Sequence, residues 1–387
     1  MNGMDRREFL RGAAVAPAAA QQWWSRQGRE TKRRLLLVGT QTLSGTSKGI
    51  YAWHWDPQNG ELHLAGLAAE SNNPTFLALA PDGQHLYAAN ELSDFEGQKS
   101  GAVSAFAIDV AAAKLNPINQ VSALGAGTCN VTVGHTGQCA FCANYNGGSA
   151  SSFYISPNGQ ISDAVSHFQY EGHGPNPQRQ EMPHAHRVTV SPDNRYLFVN
   201  DLGLDCIHIY HLDPETAKLT TSNPPRWDAT PGSGPRALRF HPNGRIAYCV
   251  CEMGSAVDVL DWNPQHGTFR QIQNISLLPA DYHGPTRGCD IVLDHAGRFA
   301  YAANRDYNCL VTFSVDHKDG RLTMLARGSC GGKIPRHLAL DPTEKWLLVA
   351  NEESNNIAVF ARDETTGKLA ESAKTFPQAI PQCLVFA

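Results

Sequence analysis

Six segments of this chain repeat one turn at nearly even spacing: Leu79-Ala-Pro-Asp-Gly83, Val133-Gly-His-Thr-Gly137, Val190-Ser-Pro-Asp-Asn194, Phe240-His-Pro-Asn-Gly244, Leu293-Asp-His-Ala-Gly297 and Leu340-Asp-Pro-Thr-Glu344. Their last residues lie 54, 57, 50, 53 and 47 positions apart, and a period of this length is the signature of a repeat architecture. Each turn sits between two apolar runs, such as Ala237-Leu-Arg-Phe240 and Ile246-Ala-Tyr-Cys-Val250, which makes a hairpin. A third strand follows, as in Asn356-Ile-Ala-Val-Phe360, and then a turn of the form Asp, polar residues, Gly, any residue, Leu, seen at Asp316 to Leu322 and Asp363 to Leu369. Polar-rich fourth strands such as Gln271-Ile-Gln-Asn-Ile275 suit an exposed sheet edge. Four antiparallel strands in such a unit make one propeller blade.

Two pieces are left over, and they complete each other. Leu35-Leu-Leu-Val-Gly39, Ile50-Tyr-Ala-Trp-His-Trp55 and Asp56-Pro-Gln-Asn-Gly60-Glu-Leu62 supply later strands of a blade that lacks its first. Ile380-Pro-Gln-Cys-Leu-Val-Phe386 matches the first strand Ile334-Pro-Arg-His-Leu-Ala-Leu340. The expected fold is therefore all-β: a seven-bladed β-propeller with four-stranded antiparallel blades, closed by N- and C-terminal strands sharing one blade. The regular turns and complementary ends disfavour a two-sheet sandwich.

Ahead of this domain, taken as residues 31–387, stands Asp5-Arg6-Arg7-Glu8-Phe9-Leu10-Arg11 followed by the Ala-rich stretch to Ala20. This reads as a twin-arginine signal peptide and linker over residues 1–30, with Trp23 and Trp24 in the linker. The expected location is periplasmic or secreted, with the export machinery as a partner; a plain basic cytoplasmic start is the alternative. A net charge of −4 offers no footprint for nucleic acid or an anionic membrane, and no later segment reaches the length of a membrane span.

The ten cysteines read as packing residues. Cys139 and Cys142 have CxxC spacing but lie in one strand, which puts their thiols on opposite faces; Cys249 and Cys251 share a face. Neither spacing makes a metal site, and none is expected.

Counting from the last turn residue, positions eight before and eight after meet across the hairpin at one end of the central channel. The earlier set is Thr75, Cys129, His186, Arg236, Cys289 and Arg336; the later set is Glu91, Tyr145, Leu202, Glu252, Arg305 and Glu352. One channel end thus collects a His, three Arg and three Glu, with His184 at the strand parity of His186 and Arg287 in the loop entering its blade. His or Glu can act as general base, and Arg can hold an oxyanion or clamp a carboxylate or phosphate. Arg236 with Glu252, and Arg336 with Glu352, would equally serve as cross-hairpin ion pairs that fix register. Asp201 and Asp205 are expected in a turn, and His173 in a surface loop bordering the site.

The segment Gly234-Pro-Arg-Ala-Leu-Arg-Phe-His-Pro-Asn-Gly-Arg-Ile-Ala-Tyr-Cys-Val-Cys-Glu252, with Pro183-His-Ala-His-Arg-Val-Thr-Val-Ser-Pro-Asp193 and Ile334 to Leu340, resembles the lactonase family of seven-bladed propellers, which includes bacterial 6-phosphogluconolactonases and fungal carboxy-muconate cyclases. The resemblance covers about residues 34 to 387. It implies hydrolysis of a sugar δ-lactone, with His186, Arg236 and Glu252 catalytic and Arg305 a substrate clamp; the repeat count adds His184, Arg336, Glu352, Arg287 and Glu91 as expected substrate-binding residues. It implies no metal and no cofactor. The ligand is a sugar lactone or sugar acid, unphosphorylated gluconolactone if the protein is exported. A muconate-type cycloisomerase and a non-catalytic propeller binding a sugar acid or protein are the alternatives. Cys251 stands where the family commonly has Asn, which is expected to alter pocket polarity.

Overall fold

The computed structural model describes residues 35–387; the expected signal peptide, Trp23, Trp24 and the expected boundary between residues 30 and 31 lie outside them. Among the described residues the chain forms strands and no helix, arranged as seven four-stranded antiparallel sheets. Blade 1 takes its innermost strand, Pro381–Phe386, from the C-terminal end and Leu35–Thr40, Gly49–Asp56 and Glu61–Glu70 from the N-terminal end. Blades 2 to 7 follow in chain order. Their innermost strands are Pro74–Leu79, Thr128–Val133, Ala185–Val190, Pro235–Phe240, Gly288–Leu293 and Pro335–Leu340.

Closure is a paired strand with both faces covered. Leu36 lies opposite Phe386, Leu37 opposite Val385 and Val38 opposite Leu384, and every residue of Leu35–Thr40 is buried. Alternate side chains of that strand serve different seams: Leu35 and Leu37 pack toward blade 2, Leu36 and Val38 toward blade 7. The same division recurs around the ring, giving seven apolar clusters, each joining two neighbouring blades. Seven seams for seven blades leave no open sheet face.

The glycine two residues before the Leu or Ile of the turn that follows the third strand also has a physical reason. Tyr87, Tyr248 and Tyr301 donate their hydroxyls to the carbonyls of Gly159, Gly320 and Gly367 in the next blade, at 2.9, 2.9 and 2.7 Å. Those glycines have φ of 81, 75 and 71°, which a Cβ would strain. Cys139 and Cys142 enter different seams, Cys249 and Cys251 enter the same one, and all ten thiols are free and buried.

Candidate active site

One irregularity, repeated in every blade, builds the channel end. Each innermost strand slips its register near its start, as between Ala185 and Arg187, Pro235 and Ala237, and Pro335 and His337. The skipped residue is His186, Arg236 or Arg336. A β-bulge of this kind leaves one residue unpaired and re-aims its side chain. The position eight after the turn is then fixed by its own backbone: Glu252 N–H donates to Gly234 O at 2.7 Å and Arg305 N–H to Arg287 O at 2.9 Å. Gly234, with φ of 65°, receives its place from Asp205, whose carboxylate accepts the Gly232 and Gly234 amides at 2.6 and 2.8 Å. Asp201 likewise accepts the amides of His184, Gly203 and Leu204, so both aspartates build turns.

Glu252 is the centre of the cluster. Its carboxylate meets Arg236 Nε at 3.1 Å, Arg305 Nη2 at 2.5 Å and Arg179 Nη2 at 2.6 Å. Glu252 is 3% exposed, and Arg236 and Arg305 are 5% each. Burial pushes the Glu252 carboxyl up, but Arg305 and Arg236 outweigh it and hold the group far below the usual carboxylate range. Burial lowers Arg305 to about 10 even with Glu252 beside it. Arg236 is further fixed by donating to the Cys289 carbonyl.

His186 stands beside this cluster and is half-buried. Burial first, and then the charge of Arg236, hold its imidazole well below the ordinary value despite Glu252, so it is neutral at pH 7. Its ring meets the edge of Tyr145 at 5.5 Å and makes no hydrogen bond to another described residue. Both nitrogens are therefore free for water or ligand.

The other expected residues are spread around this centre. Arg336 Nε lies 3.3 Å from Glu352 and donates to Gln382 Oε1 at 2.9 Å. Glu91 accepts the Thr75 hydroxyl at 2.8 Å. Arg287 forks onto Asp306, with Nε at 2.9 Å from one oxygen and Nη2 at 2.5 Å from the other. The bulge undoes the parity that would have paired His184 with His186: His184 instead stacks on Tyr145 at 4.4 Å, with Nδ1 3.1 Å from the Tyr145 carbonyl. It supports Tyr145, whose ring in turn meets His186. Cys251 does not enter the pocket. It is buried in the blade 4/5 seam with its thiol 3.3 Å from Asp258, so the expected change in pocket polarity does not arise.

Several participants escaped the repeat arithmetic. Arg179 comes from the insertion before His184, and it also reaches the Tyr145 hydroxyl at 3.4 Å; His173, in the same insertion, is exposed. Gln382 and Gln41 fill the two positions in blade 1, with Gln41 N–H on Ile380 O at 3.1 Å. That blade has no internal turn to count from. Asp306 follows Arg305 directly.

Below this cluster the channel is crossed by a second charged layer. Arg187 meets Asp290 at 3.1 Å, and His337 Nε2 lies 3.8 Å from the same carboxylate while its Nδ1 accepts the Leu384 amide. Burial lowers His337 to about 4 against the pull of Asp290. Between its unfolded value of 6.5 and about 4 the unfolded chain binds a proton that the folded protein refuses. This contribution is complete above pH 6.5 and is lost as pH falls through about 4, to the extent of about 3 kcal/mol. Melting curves from about pH 7 to about pH 4.5 should show that loss, and His337→Gln should flatten the slope.

Taken together, four guanidinium groups (Arg179, Arg236, Arg305, Arg336) and three carboxylates (Glu91, Glu252, Glu352) surround a neutral imidazole. Such a field favours negative charge developing on a bound carbonyl, and the imidazole can take a proton from water. Among the described residues no group of three or more His, Cys, Asp or Glu is arranged to hold a metal.

The profile described as Lactonase, 7-bladed beta-propeller, matches residues 35–386. A 6-phosphogluconolactonase of Bacillus subtilis is 35% identical over 349 residues, covering 90% of this chain and 97% of that protein. A 6-phosphogluconolactonase of Formosa agariphila is 32% identical, covering 90% and 96%. The solved structure of a periplasmic gluconolactonase of Pseudomonas aeruginosa superposes with a TM-score of 0.85 at 33% identity, covering 91% of this chain and 98% of that one.

Proposed function

We propose, from the premise that this chain belongs to the lactonase family of seven-bladed β-propellers, that it hydrolyses a sugar δ-lactone with His186 as general base. The observation that carries the reading is the contrast within the site. Glu252 is locked in its ionised form by three arginines, whereas His186 is neutral with both nitrogens open. A carboxylate so held cannot accept a proton near neutral pH, so Glu252 is the counter-charge that aligns the guanidinium groups.

In this mechanism His186 takes a proton from water as the water oxygen bonds to the lactone carbonyl carbon. The negative charge on the former carbonyl oxygen develops in the field of Arg305 and Arg236. The ring C–O bond then breaks, the electron pair goes to the departing hydroxyl oxygen, and His186 returns the proton to it. The product is a hydroxy acid, and the second water proton leaves its carboxyl group for solvent as it ionises to the carboxylate. Arg336 and Arg179, the more exposed guanidinium groups, hold the polar substituents.

The twin-arginine leader and the likeness to a periplasmic gluconolactonase support an exported enzyme and an unphosphorylated substrate. Proton release from gluconolactone and from 6-phosphogluconolactone, measured side by side with the leader-free protein, tests this. Turnover of gluconolactone with the higher kcat/KM is expected. A preference for the phosphorylated lactone would reverse the substrate, and loss of a muconate's ultraviolet absorbance without lactone opening would replace hydrolysis by cycloisomerisation.

Arg179 gives a second measurement. It is 36% exposed and holds Glu252 from an insertion outside the blades, so Arg179→Met removes a clamp without disturbing a seam. KM for the lactone is expected to rise roughly tenfold, with kcat changed less than about threefold. A fall in kcat alone would move Arg179 from substrate holding to transition-state stabilisation.

A further inference from the structure

The channel continues past the Arg187, Asp290 and His337 layer and widens into a cavity of about 760 Å³ that opens on the opposite face. All seven innermost strands contribute to its wall, and none of His186, Arg236, Glu252, Arg305 or Arg336 does. It is a separate chamber of pocket-like size.

The position five before the last turn residue in blades 2 to 7, and the matching Val385 in blade 1, is half-buried and lines the cavity, so this ring faces the lumen. In six blades the residue is small and uncharged: Ala78, Thr132, Thr189, Val292, Ala339 and Val385. In blade 5 it is Arg239. Toward the mouth the wall continues with Leu79, Phe240 and Phe386. Within this ring one guanidinium projects among apolar and small side chains, while Asn130, Arg187 and His337 also line the cavity.

That charge is answered only in part: Arg239 adds to the positive field that lowers the Asp290 carboxyl, but that one carboxylate is shared with Arg187. The Arg239 side chain makes no hydrogen bond or ion pair with a described residue, and its Nε is buried without a partner. Asp290, the carboxylate of the adjoining layer, is engaged by Arg187 at 3.1 Å, and Arg187 also lies over the Phe76 ring at 5.1 Å. The carboxylates near the mouth are engaged as well. Asp294 holds Arg362 at 2.8 Å, Asp341 accepts the Thr343 hydroxyl at 2.7 Å, and Glu344 accepts the His295 amide. A buried donor left unsatisfied is costly, and a carboxylate matches the guanidinium fork.

We propose that this far chamber is a second binding site, for a small organic carboxylate with an apolar body, anchored on Arg239. The ring around Arg239 favours an apolar body over the sugar acid that the proposed function would make at the other end. A polyol would need many partners, and the ring supplies two hydroxyls, of which Thr189 already donates to the Leu238 carbonyl at 3.2 Å. An aromatic or branched acid would instead place its charge on Arg239 and its body against Leu79, Phe240 and Phe386.

The test is titration calorimetry of the full domain with naphthoate, its neutral alcohol analogue naphthylmethanol, acetate and gluconate. Naphthoate is expected to bind at one site, at least about tenfold more tightly than any of the other three. Arg239→Met should weaken naphthoate by at least about tenfold while leaving lactone hydrolysis intact, which shows that the propeller has folded. Should that variant fail to fold, Ala339→Phe fills the lumen without touching the charge and is expected to block naphthoate. Binding of naphthoate unchanged in both variants, binding no tighter than naphthylmethanol or acetate, or no binding at all would each overturn the proposal.

Discussion

The His186→Gln variant is expected to melt like the parent protein and to open lactones roughly 10²- to 10⁴-fold more slowly, the usual contribution of a general base. The stability half of this expectation follows from what His186 touches. It occupies a bulge, is half-buried, and its ring meets Tyr145 only edge-on, while Tyr145 keeps its stack on His184. No ladder bond and no ion pair depends on it. The activity half follows from its protonation state. Burial and Arg236 keep the imidazole neutral at pH values where a free histidine would begin to charge, so kcat should rise with pH through a midpoint below 6.5 and be flat at neutrality. In the variant that acid limb should vanish. Proton-release assays across pH supply both readings, and a variant that kept its kcat would remove His186 from the mechanism.

How far the sequence reached can be judged residue by residue. The blade count and the terminal closure were legible because a propeller writes its period into the chain, and the missing first strand before Leu35 has its counterpart at Pro381–Phe386. The placement of Arg236, Glu252 and Arg305 on one channel end was legible for the same reason: equal offsets in equivalent hairpins reach equivalent places. What the period does not encode stayed hidden. Arg179 belongs to an insertion, and a single Arg among the polar residues of a Gly/Pro-rich loop was its only signal. Gln41 and Gln382 belong to the blade split between the termini, where no turn marks the count. Strand parity did not show that His184 stacks on Tyr145, because a bulge shifts every residue before it by one and leaves no mark in the residue pattern. Cys251 aims at Asp258 for a related reason. It is the last residue of its strand, and the side chain before Glu252 belongs to the opposite face.

Glu252→Gln should cost stability as well as activity, and this separates a counter-charge from a base. The substitution keeps the shape of the side chain but leaves Arg179, Arg236 and Arg305 without their shared anion. Removing one partner from a buried ion cluster typically costs about 3–5 kcal/mol, because the charges left behind are already desolvated. Lactone opening is expected to fall by about 10²-fold as the guanidinium groups lose their alignment. Gluconate should bind at least about tenfold more tightly than to the parent, since its carboxylate can replace the missing charge. The pH dependence has a definite sign. The Glu252 carboxyl is held far below 4.5 in the folded protein, so its contribution is complete above that pH and is lost only as pH falls through the depressed folded value in strong acid. The stability gap between parent and variant should therefore be constant from neutrality down to about pH 4.5, even while both proteins lose stability through His337. Calorimetric melts over that range test the charge assignment directly. A variant that lost activity but melted with the parent would show that Glu252 acts on the proton and that the arginines hold their places without it.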